Sequence, residues 1–346
     1  MNRLILLLFF VIVSDTLFAR LPDLIPYRKG DLWGYADSTK KIIVEPQWET
    51  AYPFCGATAA VRNGSRFALI DRSGKIVAPF RYRNMMTDAV NGKRIVYSTN
   101  GKKAGVIDET GKLVIPMDYD YLYWCGDKYL SAGRRKTEGV IDTSGKVIIP
   151  FKYQKDGFTY TWSDSVATYF SVRTKEGCGV INDSGRVIIP FEYNWVHVEY
   201  GTVIMYRSGQ DRDFYTKQGK LIGTQTSGQT EVGLVYEARA TPKDSFVTGG
   251  ENRWGWISPD GRWLNTYFYR YTDEFHYGLA RIQTDDRHFG FVDEKFEIVI
   301  ETKYERALPF DHGGIALVFE KKNLKKGIDY WSVLGYIDTH GTEYWE

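Results

Sequence analysis

The chain has 346 residues, 43% hydrophobic and 25% charged, a composition too apolar for disorder and ample for a large buried core. Its 45 basic and 43 acidic residues leave a net charge of +2 with the signs well mixed, so neither nucleic acid nor an anionic membrane is favoured as a partner. The 25 Tyr, 19 Phe and 10 Trp are a heavy aromatic load, expected where side chains pack on pleated strands.

The first 19 residues stand apart. Asn2 and Arg3 precede an apolar run from Leu4 to Val13, and the more polar Ser14, Asp15 and Thr16 follow. That is the layout of a secretory leader ending near Ala19, and the run is too short for a spanning helix. The expectation is an exported protein, periplasmic, cell-surface or secreted, with no transmembrane segment after processing. The three cysteines, Cys55, Cys125 and Cys178, allow at most one bridge and match no zinc spacing, so they are expected to be small buried hydrophobes.

From about residue 31 the chain repeats itself. The clearest copy runs Gly139-Val140-Ile141-Asp142-Thr143-Ser144-Gly145-Lys146-Val147-Ile148-Ile149-Pro150-Phe151-Lys152-Tyr153. Gly179 to Tyr193 and Gly105 to Tyr119 follow the same pattern. Nine starts are found: Gly34, Ala68, Gly105, Gly139, Gly179, Phe214, Gly255, Gly290 and Gly335. The copy at Phe214 is degenerate, and the signal fades through residue 250. Within a copy, Gly-Val-Ile-Asp reads as a short strand. Asp-x-x-Gly-Lys is a hairpin turn, in which Asp bonds back to turn amides and Gly supplies positive φ. A second strand follows, with Val147, Ile149, Phe151 and Tyr153 on one face. Its proline cannot donate to a ladder, so the strand must be at an edge, bulged or bent there. A third strand, such as Ala57 to Arg62, completes the unit, and Asn63-Gly64 turns the chain into the next copy. No stretch shows helical spacing with caps. The expected fold is all-β: a tandem array of antiparallel three-strand units over residues 20–346, curved as an open solenoid, with a closed β-propeller as the alternative.

At Trp33-Gly34, Trp254-Gly255, the Gly-[Val/Tyr/Phe]-[Ile/Val]-Asp-x-x-Gly-[Lys/Arg] core and the Ile-Pro-x-x-Tyr segment, the chain resembles the WG-repeat family of bacterial proteins. The resemblance covers about residues 31 to 346. It implies an array of β units and carries no shared catalytic residues, so it assigns no role to any single position.

Candidate chemistry is sparse. The repeat carboxylates Asp37, Asp71, Asp108, Asp142, Asp293 and Asp338 share one turn position, which explains them as turn formers. His276 and His312 occupy similar loops near Glu274 and Asp311, with His288 in the hairpin between them, and stacking of the units would unite them as an acid–base or metal site. No nucleophile elbow, phosphate loop or dinucleotide fingerprint is present, so no cofactor is implied. Aromatics outside the strand register are the better candidates for ligand contact: Tyr121, Tyr123 and Trp124; Tyr160 and Trp162; Trp263, Tyr267 and Tyr269. The functional expectation is a non-catalytic binding or scaffolding module for a protein or glycan of the cell envelope. The alternative is a hydrolase acting on envelope glycans.

Overall fold

Short runs of β-branched and aromatic residues separated by Asp, Asn and Gly turns leave the chain few options but strands. The computed structural model describes residues 21–154, 157–199, 202–207, 211–225, 246–250, 253–257, 269–311, 313–323 and 329–346. The expected leader lies outside the described residues, as does most of the faded stretch beyond residue 225. Among the described residues there is no helix, and 32 strands form nine antiparallel sheets, none closed into a barrel.

Each sheet is one repeat. In the second unit the strands are Thr50–Ala51, Thr58–Asn63, Arg66–Asp71 and Ile76–Tyr82, each paired with its neighbour in sequence. Six of the nine sheets have four strands, which corrects the three-strand unit expected above. Where it is described, the extra strand comes first in its unit and is often only two residues long, as at Thr50–Ala51, Asn84–Met85, Tyr271–Thr272 and Arg306–Ala307. The first and ninth sheets have three strands and the seventh two among the described residues. Seven of the nine repeat starts fall in the third strand of their unit, Phe214 included; Gly34 and Gly255 fall in the second described strand of theirs.

The proline expectation holds in detail. Trp33 pairs with Trp48 but Tyr35 with Val44, so the last strand loops out across Glu45-Pro46-Gln47. The same shift recurs at Pro150, between the pairs Glu138–Tyr153 and Val140–Ile149, and at Pro190, between Cys178–Tyr193 and Val180–Ile189. The bulge folds its own backbone over the repeat glycine. A Cβ on Gly34 would stand 2.3 Å from the Val44 carbonyl oxygen and 2.6 Å from the Pro46 nitrogen. The degenerate sixth unit shows the converse. Asp213 pairs with Thr224 and Phe214 with Gly223 without a shift, so here bulge and glycine are missing together, whereas the eighth unit, with Glu301-Thr302-Lys303 and no proline, keeps both the shift and Gly290.

The core lies between successive sheets. Ala60, Leu69 and Tyr82 of the second unit pack with Met85, Val96 and Ile107 of the third. Ile95, Ile115 and Tyr119 pack in turn with Leu122, Leu130 and Ile141 of the fourth. Each fully buried side chain of this size contributes roughly 1.5–3 kcal/mol, so the sheets hold one another far more strongly than any hairpin holds itself. One cluster joins sheets distant in sequence: Ile25, Tyr27, Trp33 and Tyr35 of the first unit pack with Ile315, Tyr336 and Tyr344 of the ninth. The C-terminal segment runs between the two. Tyr344 N–H donates to the Tyr336 carbonyl (2.9 Å), Arg28 N–H to the Tyr344 carbonyl (3.1 Å) and Glu346 N–H to the Arg28 carbonyl (3.0 Å).

Candidate functional site

The repeat aspartates are turn formers. Asp142 Oδ1 accepts from Ser144 N–H (2.8 Å), Ser144 Oγ (2.6 Å) and Lys146 N–H (3.0 Å). Asp37, Asp71 and Asp108 make the same three bonds, with Thr39, Ser73 and Thr110 giving the hydroxyl. That hydroxyl is the main reason their carboxyls are held below the usual range. Each carboxylate is engaged in its own turn, and the row of acids has no shared chemistry. The three cysteines are free thiols, with Cys125 and Cys178 buried.

The aromatic candidates divide by strand. Tyr121–Cys125 is the first strand of the fourth unit and is packed on both faces. Leu122 and Trp124 face the core shared with the third unit. Tyr121 lies over Gly133, where a Cβ would meet its ring at 2.2 Å, and its hydroxyl reaches the buried Glu138. Tyr123 is left outermost, 51% exposed, with its ring 5.5 Å from that of Tyr121. Trp162 and Tyr269 are corrections: both are buried, Trp162 stacked on Tyr169 and Tyr269 edge-on to Trp256, so neither presents a surface to a ligand. Tyr160 is half-buried, its hydroxyl 3.2 Å from His197 Nδ1. Trp263 and Tyr267 lie outside the described residues. Clusters that break the alternation of one strand are explained by a strand with a sheet against each face.

The histidines separate as well. His276 stands before the second strand of the eighth unit, Leu279–Gln283, and His288 beyond its end, so the two are at opposite ends of one strand. His312 lies outside the described residues.

His276 borders a cavity of about 660 Å³. Tyr52, Pro53 and Thr87 of the second and third units meet His276, Tyr277, Phe310, Asp311 and Tyr336 of the eighth and ninth there. The lining is mainly aromatic and apolar, with one imidazole and one carboxylate, the usual make-up of a ligand pocket. Tyr277 is its most telling residue. It is 43% exposed and has φ +54°, followed by Gly278 at φ +78°. The matching turn of the third unit is Asn91-Gly92, with φ +50° and +70°. Two positive φ values in a row favour Asn-Gly, and a tyrosine there is strained. Its hydroxyl accepts from Gly313 N–H at 3.2 Å, bracing the loop of the eighth unit against that of the ninth. Sequence reasoning missed Tyr277 and Tyr52; the one readable signal was a large aromatic directly before a turn glycine.

Comparison with known proteins gives the following. A model described as "WG containing repeat" matches residues 33–66, 67–102, 105–123, 139–167, 179–201 and 289–323, just over half of the chain. No curated protein matches. A crystal structure of the eukaryotic initiation factor superposes with a TM-score of 0.52 at 10% identity, covering 93% of this chain and 96% of that one, a likeness of fold alone. BamB from Moraxella catarrhalis (TM-score 0.36, 10% identity, 91% and 92% covered) is similar too loosely to argue from. So is the dihydro-heme d1 dehydrogenase NirN (0.41, 13%, 93% and 72%).

Proposed function

The chain belongs to the WG containing repeat family, and from that premise we propose that it is an exported, non-catalytic binding module whose ligand, a protein or glycan of the cell envelope, enters the cavity at Tyr52, Tyr277 and Tyr336. The observation that carries this reading is the strained, exposed Tyr277 on the cavity wall. A residue kept in an unfavourable backbone conformation, where Asn would serve the turn better, points to a task for its side chain. We further infer that the array closes as a propeller. Support comes from the packing of the ninth sheet on the first and from a cavity that draws on units two, three, eight and nine. An open solenoid leaves those units apart.

The second reading, a hydrolase, is kept alive by one feature: His276 and Asp311 line the same cavity. One experiment separates the two. The chain from Leu21 onward is incubated with purified envelope glycan and with solubilised envelope protein, and both the retained and the released fractions are measured. The binding reading expects retention without fragments. Retention is lost in Tyr277→Asn, which keeps the turn and melts no lower than about 1 kcal/mol below the parent, since relief of strain offsets the lost Gly313 bond. Release of glycan fragments that stops with His276→Ala or Asp311→Asn would replace it with the hydrolase.

A further inference from the structure

The ninth unit departs from the others at one end. Its second and third strands, Ile315–Asn323 and Asp329–Asp338, are 9 and 10 residues long, where their counterparts in the second unit have 6 each. The excess continues the ladder past Phe319–Val333 through the pairs Glu320–Ser332, Lys321–Trp331 and Lys322–Tyr330. The first strand of the unit, Arg306–Ala307, pairs only with Phe319 and Val318. Beyond Phe319 that edge therefore has no strand beside it among the described residues. The Glu305 carboxylate instead accepts from Lys321 N–H, at the place a strand carbonyl would take. Unpaired strand edges recruit extended peptides unless they are blocked.

Lys321 and Trp331, directly opposite in the ladder, share a face, and Trp331 is 45% exposed. That face is one wall of a groove of about 540 Å³; Asp286, Arg287 and His288 of the eighth unit also line it, as does Arg306. Its acids are occupied. Glu305 holds the Lys321 amide, and Asp286 accepts from Thr284 Oγ1 (2.5 Å) and His288 N–H (3.2 Å) with His288 Nδ1 3.3 Å away. Two of its cations have no such engagement. The Arg306 guanidinium stacks over the Phe319 and Trp331 rings (5.4 and 5.9 Å), which leaves its N–H edge free for a carboxylate, and Arg287 has no carboxylate partner among the described residues. The groove thus offers an apolar anchor, two guanidiniums and a strand edge within one concave surface.

We propose that this groove, distinct from the cavity at Tyr277, binds an extended acidic peptide. Its carboxylates pair with Arg287 and Arg306, an apolar side chain rests on Trp331, and its backbone runs along the edge at Lys321 in place of the Glu305 carboxylate. The edge decides for a peptide over an acidic saccharide, which has no strand to offer. The test is fluorescence anisotropy with the chain from Leu21 onward and three labelled decapeptides: alternating Glu-Val, alternating Lys-Val, and the Glu-Val peptide N-methylated at alternate residues. Oligogalacturonate is the competitor. The expected result is binding of the Glu-Val peptide alone, weakened about tenfold by Arg287→Glu and by Trp331→Ala, both exposed positions whose circular dichroism should match the parent. Binding of the Lys-Val or N-methylated peptide at similar strength overturns the proposal. So does displacement of the Glu-Val peptide by oligogalacturonate, indifference to both substitutions, or no binding at all. The Tyr277→Asn variant separates the two sites: it should leave peptide affinity unchanged even if the cavity proposal fails.

Discussion

At the residue scale, the positions that depart from the repeat hold its most unusual chemistry. The position just before the repeat start, occupied by Trp33 and Phe67, is Glu138 in the fourth unit and Asp213 in the sixth, both buried. Burial pushes Asp213 up, but bonds from Tyr193, Thr224 and Arg207 outweigh it and hold the carboxyl low. For Glu138, burial wins: its carboxyl is raised although Ser131 Oγ and Gly157 N–H donate to it, the latter at 2.8 Å. A carboxyl raised on folding binds protons more tightly in the native state, so stability falls as pH rises from the ordinary glutamate range through the raised value. Glu138→Gln removes that dependence, with its carbonyl left for Gly157 and the Ser131 hydroxyl turned to accept. In melts from pH 4 to pH 8 the variant should gain on the parent as pH increases; a difference constant across the range would show that Glu138 does not titrate there. Arg94 is a third departure. It takes the register of Ala59, Leu130 and Phe170, and its Nη2 donates to the Thr58 carbonyl (2.8 Å), tying the third unit to the second. Nothing in a sequence read as a repeat warns that this arginine is buried, because its neighbours Arg-Ile-Val-Tyr alternate no differently from an exposed edge.

At the element scale, the hairpin turn and the proline bulge were legible because each rests on residues with one physical use: Asp and Gly in the turn, Pro where no donor is possible. The first strand was not. At two residues it is too short for alternation, and it follows the preceding unit's last strand with a single residue between, Glu49 between Trp48 and Thr50. Where it is longer, as at Phe158–Ser163, sheets on both sides bury its aromatics, which is why Trp162 looked like a ligand platform and is core. The bulge also makes a quantitative claim. A methyl on Gly34 meets backbone rather than a movable side chain, so Gly34→Ala should cost about 1–3 kcal/mol through forced displacement of the strand at Pro46. Ala68 holds the same register in the second unit, so Ala68→Gly should cost no more than about 1 kcal/mol. Equal effects in chemical denaturation would mean that the bulge relaxes freely and the glycine is incidental.

At the scale of the whole molecule, the period told how many units there are but not whether the last meets the first, since closure depends on the rotation between neighbours and no single repeat encodes it. The contacts that bear on closure are few and concentrated at the C-terminus. Tyr344 is fully buried, its hydroxyl donating to Asp338 Oδ2 at 3.0 Å, and Glu346 accepts from the Tyr27 hydroxyl (3.0 Å) and pairs with Lys29 (3.1 Å). In an open solenoid, stability is a sum over neighbours, so removing residues 344–346 frays the ninth unit and leaves the rest melting as before. In a ring, the same segment joins two sheets to each other, and its loss opens an interface that every other unit helps to hold. Deletion of 344–346 should then lower the melting temperature of the whole chain, and raise amide exchange in Ile25–Lys29 as much as in Asp329–Asp338. It should also enlarge the radius of gyration by X-ray scattering. Exchange confined to the ninth unit, with an unchanged main transition, would instead make the array a solenoid whose ends touch without holding, and the cavity between units two and nine would lose its claim to be a permanent site.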